Sequence, residues 1–139
     1  MEQNPGTGYD MAGNDPRSIL LVEDDESARE ILANVLAMRF PQLEVHVAEN
    51  GTTGLECFKK YSPAVIVTDI NMPLMGGIPM AREIKSIDGG VKFVVITAFS
   101  GKSIQETSAA TGVEFEHFVL KPVDYGKLFA AIEQCLAGL

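Results

Sequence analysis

The sequence predicts an α/β fold: a five-stranded parallel sheet, doubly wound by helices as (βα)5. Three observations predict it. Two short continuous apolar runs, Ile19-Leu20-Leu21-Val22 and Ala64-Val65-Ile66-Val67, have the composition of strands covered on both faces. Between such runs lie segments whose apolar residues recur at helical spacing. Strands that alternate with helices imply crossover connections, because parallel neighbours cannot be joined by a tight turn.

Residues 1–17 are rich in Gly, Asn, Asp and Pro without periodicity and read as a flexible leader, with one domain expected over residues 18–139. After strand one, Glu23-Asp24-Asp25-Glu26-Ser27 is an acidic turn suited to starting a helix, since carboxylates favour its positive end. Ala28, Ile31, Leu32, Val35 and Leu36 make that helix's apolar stripe, and Phe40-Pro41 stops it. Leu43 to Ala48 alternates as a second strand. Asn50-Gly51 turns the chain into a helix with Leu55 and Phe58 inward, ended by Ser62-Pro63.

Strand three runs from Ala64 and closes on Thr68-Asp69. A loop with Met72-Pro73 and Gly76-Gly77 leads into a helix in which Met80, Ile84 and Ile87 share a face. Val91 to Ile96 is strand four, ending at Thr97-Ala98, and a fainter helical pattern covers roughly Ser100 to Ala110. Phe115 to Leu120 is strand five, followed by Lys121-Pro122. Asp124 starts the last helix, with Leu128, Ala131, Ile132 and Cys135 inward.

Composition narrows the function classes. The 139 residues suit one domain, and the 46% hydrophobic content and mean hydropathy of +0.12 are those of a globular chain. A net charge of −8 speaks against direct binding to nucleic acid or an anionic membrane. Cys57 and Cys135 lack the spacing of a zinc site or disulfide scaffold and read as small apolar residues in helices. With no apolar stretch of a secretory signal or membrane span, the expected location is the cytoplasm.

In open parallel sheets, ligands gather beyond the carboxyl ends of the strands. The residues expected there are Glu23-Asp24-Asp25 after strand one, Asp69 at strand three, Thr97 at strand four and Lys121 at strand five. Carboxylates brought together away from water raise each other's pKa unless a cation intervenes, and an oxygen-only ligand set suits Mg²⁺ rather than zinc. With Lys121 adding positive charge, such a site is ready for a phosphoryl group. A carboxylate there can act as nucleophile toward phosphorus, with Thr97 and the Ala98 N–H donating hydrogen bonds to the transferring oxygens. The small Ala98 side chain leaves room.

Over residues 18–139 the chain resembles the receiver domains of two-component response regulators. The resemblance is carried by Ile-Leu-Leu-Val-Glu-Asp-Asp (19–25), Val-Thr-Asp-Ile-Asn-Met-Pro (67–73), Val-Ile-Thr-Ala (95–98) and Leu-Lys-Pro (120–122), in order at strand ends. It implies a flavodoxin-like sheet with strand order 2-1-3-4-5. It also implies Asp69 as phosphoacceptor, the Asn71 backbone carbonyl on Mg²⁺, Thr97 as the switch hydroxyl and Lys121 as the phosphate-binding lysine. Family members usually carry the acidic pair six and five residues before an arginine of the first helix. Arg29 then selects Glu23 and Asp24, with Asp24 the direct ligand and Asp25 left to cap the helix.

Phe118 resembles the aromatic switch position, while a core aromatic is the alternative reading of the same residue. The implied phosphoryl source is a sensor histidine kinase or phosphotransfer protein. The implied output is an attached domain or target protein, controlled through the surface of the fourth helix, fifth strand and fifth helix, with the chain a monomer or an activation-dependent dimer. Two departures stand out: Gly76 where relatives often have Asp, and a slightly long stretch, Gly112 to His117, before Phe118. An aspartyl-phosphate hydrolase would want a second aspartate where Asn71 stands, and a flavin or nucleotide site a Gly-rich loop where Glu23 to Glu26 lie.

Overall fold

The first apolar run becomes β1 (Ser18–Val22), buried at every residue, with Ile19 and Leu21 in the core on one side of the sheet and Leu20 and Val22 in the core on the other. The computed structural model describes residues 17–70, 72, 74–98, 112–113 and 115–139. After β1 come α1 (Glu26–Arg39), β2 (Glu44–Ala48), α2 (Gly51–Tyr61), β3 (Val65–Asp69), α3 (Gly77–Ile87) and β4 (Lys92–Thr97), then β5 (His117–Leu120) and α4 (Tyr125–Ala137). The helix predicted over Ser100–Ala110 lies outside the described residues, as do residues 1–16 of the leader predicted over residues 1–17; Arg17 is described, and its guanidinium donates to the Leu136 carbonyl at 3.2 Å.

All four strand pairings are parallel and the order is β2-β1-β3-β4-β5, the doubly wound arrangement that the resemblance implies. Period-two alternation divides the strand residues between two cores. On one side, Leu32, Leu36 and Phe40 of the first helical segment and Leu128, Ile132 and Cys135 of α4 pack on Ile19, Leu21, Val67 and Ile96. On the other, Phe58 of α2 and Met80, Ala81 and Ile84 of α3 pack on Leu20, Val22, Ile66 and Phe93. Burying each of these larger side chains contributes about 1.5–3 kcal/mol.

Helix starts follow the polar signals. Asp25 caps α1 by accepting from the Ala28 N–H at 2.8 Å, and Asp124 caps α4 by accepting from the Lys127 N–H at 3.1 Å. Asn50 and Thr53 form a reciprocal capping box at α2. Among the described residues, no helix is long and apolar enough to cross a membrane.

Three local expectations need correction. Strand five begins at His117 rather than Phe115, because the Glu116 side chain takes over a strand's role: its Oε1 accepts the Phe93 N–H at 2.6 Å. Ile31 and Ile87 do not join the buried stripes of α1 and α3; they are 54% and 56% exposed, since each contact with the sheet is narrower than the apolar arc on its helix. Cys57 is only half-buried on α2, whereas Cys135 is buried as expected.

Candidate functional site

Backbone geometry brings the strand ends together. The pairing of β1 with β2 continues one step past β1, as the Glu23 N–H donates to the Ala48 carbonyl at 3.0 Å. Glu23 is buried at 3% exposure, although its side chain is ionisable, and Asp24 beside it is exposed. Asp69 closes β3 and is buried at 8% exposure, with its carbonyl accepting from the Thr68 hydroxyl at 2.8 Å. One oxygen from each of Glu23, Asp24 and Asp69 lies within 4.8 Å of the others.

The loop after Asp69 returns directly beneath it. Gly77 donates its N–H to the Ile70 carbonyl at 2.9 Å, and a Cβ at Gly77 would stand 2.4 Å from the Asp69 carbonyl oxygen. Only glycine allows that approach. A similar constraint ties α2 to the same loop: the Gly51 N–H donates to the Met75 carbonyl at 2.8 Å, where a Cβ would collide with that oxygen.

From the other side comes Lys121. Its N–H donates to the Thr97 carbonyl at 2.8 Å, which fixes the turn after β5 against the end of β4. Its ammonium lies 2.5 Å from Asp69 Oδ2 and 3.8 Å from Glu23 Oε1. Burial alone would lower the Lys121 pKa, but the hydrogen bond to Asp69 and the fields of Asp69, Glu23 and Asp24 outweigh it and raise the value. Burial pushes the Glu23 carboxyl up; the Asp25 N–H and Lys121 pull it down, while Asp69 and Asp24 add to the rise.

Of the residues singled out from sequence, Glu23, Asp24, Asp69 and Lys121 converge directly. Thr97 is buried at the end of β4, and Ala98 is exposed just beyond it. Asp25 caps α1. Phe118 is half-buried on β5, edge-on to Phe115 at 6.1 Å, and Phe115 in turn is edge-on to Phe93 at 6.0 Å. Asn71 lies outside the described residues. Sequence reasoning used Arg29 only to set a register and missed that its guanidinium grips the Glu23 carbonyl at 2.9 Å.

The donor set fits a hard divalent cation. Among the described residues, three carboxylates converge with one ammonium, and every candidate ligand atom is oxygen.

Residues 19–133 match the family described as the response regulator receiver domain. The chain is 29% identical over 122 residues to chemotaxis protein CheY of Halobacterium salinarum, covering 88% of this chain and 98% of that protein. It is 30% identical over 118 residues to regulatory protein AtoC of Escherichia coli, covering 85% of this chain but only 25% of AtoC. Among solved structures, the N-terminal domain of protein WS1339 from Wolinella succinogenes superposes with a TM-score of 0.75 at 36% identity, covering 87% of this chain and 94% of that one.

Proposed function

We propose a function from one premise: the chain belongs to the response regulator receiver domain family, the signalling module of two-component systems. On our reading Asp69 is the phosphoacceptor, and the domain turns over no external metabolite. The observation that carries this is the meeting of Glu23, Asp24, Asp69 and Lys121, from three separate strand ends, at one edge of the sheet.

An Asp69 carboxylate oxygen attacks the phosphorus of a phosphohistidine on a sensor histidine kinase or phosphotransfer protein. The O–P bond forms as the N–P bond breaks, and the imidazole keeps the electron pair and takes up a proton. Lys121, paired with Asp69 before transfer, turns its ammonium to the incoming oxygens. The Thr97 hydroxyl and the Ala98 N–H donate to the same oxygens. Glu23, Asp24 and Asp69, with the Asn71 carbonyl that the family pattern adds, would hold Mg²⁺, which would supply charge neutralisation for the transfer.

The switch follows from register. Val95 pairs with Phe118 and Thr97 with Leu120, so Phe118 shares a sheet face with Thr97, two pairs back along the strands. Movement of Thr97 toward the phosphoryl group opens space for Phe118 to turn inward. The surface that includes β5 and α4 then changes its affinity for an output domain or target, as monomer or activation-dependent dimer. The cytoplasm is the compartment where such a donor and target meet it.

Beryllium fluoride with Mg²⁺ tests this reading without a cognate donor. Amide resonances at Asp69, Thr97, Ala98 and Phe118 are expected to shift in the wild-type chain and not in Asp69→Asn. An unchanged wild-type spectrum contradicts it.

A further inference from the structure

Glu23 is held at three points. Its N–H donates to the Ala48 carbonyl at 3.0 Å, its carbonyl accepts from Arg29 Nη1 at 2.9 Å, and its Oε2 accepts from the Asp25 N–H at 3.1 Å. Asp25 is fixed in turn: it caps α1 through the Ala28 N–H, and its carbonyl accepts the Arg29 N–H at 2.8 Å. Arg29 therefore takes part in both sets of bonds. Its backbone belongs to the first turn of α1, while its half-buried side chain reaches back six residues to the end of β1. Asp24 is the residue between these two anchored neighbours, so the aim of its carboxylate depends on how they are held.

We propose that Arg29 is a positioning residue for the cation site, which through its hydrogen bond to the Glu23 carbonyl sets the direction of the β1–α1 turn and hence the approach of the Glu23 and Asp24 carboxylates to Asp69. This rests on the reading of that site as a Mg²⁺-dependent phosphoacceptor. Hydrogen-bonding groups behind metal ligands keep the ligands aimed, and their loss weakens binding without removing any donor atom.

Two simpler roles make different predictions. If Arg29 acted only through its positive charge, removing it would relieve repulsion and tighten Mg²⁺ binding. If it were only a strut of the fold, removing it would lower thermal stability and leave the Mg²⁺ affinity of the folded protein unchanged. Positioning predicts weaker binding, the opposite sign to the charge effect.

The experiment is calorimetric Mg²⁺ titration of the full chain as wild type, R29A, R29Q and R29K, beside the acetyl phosphate labelling rate as a function of Mg²⁺. R29A is expected to raise the Mg²⁺ dissociation constant roughly tenfold. Its labelling rate recovers toward wild type as Mg²⁺ saturates, so the loss falls on the Mg²⁺ requirement. R29K, which keeps an N–H donor, is expected to bind more tightly than R29A. R29Q, a donor without charge, is expected to fall between wild type and R29A, and it carries the test should R29A fail to fold. A dissociation constant for R29A or R29Q equal to or below wild type overturns the proposal. Wild-type protein that binds no Mg²⁺ overturns the reading of the site itself, a result distinct from a wild-type site that binds while the variants match it.

Discussion

Gly77 shows how one missing side chain places Asp69. Its Cβ position lies 2.4 Å from the Asp69 carbonyl oxygen and 3.2 Å from Ile70 Cα, both backbone atoms that cannot swing aside. Gly77→Ala is therefore expected to cost about 1–3 kcal/mol of stability, read by urea unfolding, and to slow Asp69 labelling by displacing its backbone. Cys135 gives a residue-scale pH prediction. Burial is the main cause that pushes its thiol up to about 11 from the ordinary 9.0, with Glu116 adding to the rise. The folded state thus holds its proton where the unfolded state has released it. Its contribution to stability is complete below pH 9 and is lost as pH rises toward 11. Native Cys135 should resist thiol reagents at pH 8, where Cys57 reacts first; equal rates would contradict this. Asp24, Asp69 and Lys121 were legible in the sequence because each lies within two residues of the end of an apolar run. The duties of Gly77 and Arg29 were not, because each depends on a close approach between segments that only the folded chain creates.

At the scale of elements, β5 shows the limit of pattern reading. Phe115 to Leu120 has the composition of a strand, yet the strand occupies only His117–Leu120. The Glu116 carboxylate accepts the Phe93 N–H and also faces Lys85 Nζ at 3.5 Å, so a side chain satisfies a donor at the edge of β4. No periodicity can reveal such a substitution, since backbone hydrogen-bond partners leave no mark in hydropathy. Glu116→Ala leaves the Phe93 N–H without this acceptor and is expected to cost about 1–3 kcal/mol, whereas Glu116→Gln retains an oxygen and costs less. Equal urea midpoints for the two variants would remove Glu116 from this role. Helix starts were more legible, because Asp25, Asn50 and Asp124 are short polar residues placed just before helical spacing begins, and all three cap their helices.

For the whole molecule, the sheet order does the decisive work. With β1 and β3 adjacent, and β4 and β5 beyond them, the ends of β1, β3 and β5 deliver three carboxylates and one ammonium to a single edge. Among the described residues the alternation of strands and helices was readable in the sequence, but the order of strands was not. Crossover lengths permit several orders, and the order followed from the motifs' resemblance to a family.

The claim on which the account depends is that these acidic oxygens form one cation-dependent phosphoacceptor centre with Asp69 as nucleophile. Intact-mass spectrometry after incubation with acetyl phosphate tests it most directly, on wild type and Asp69→Asn, each with and without Mg²⁺. The account predicts a single phosphoryl adduct on wild-type protein with Mg²⁺ and none in the other three samples. An adduct on Asp69→Asn, or a wild-type adduct formed equally well without Mg²⁺, would contradict it.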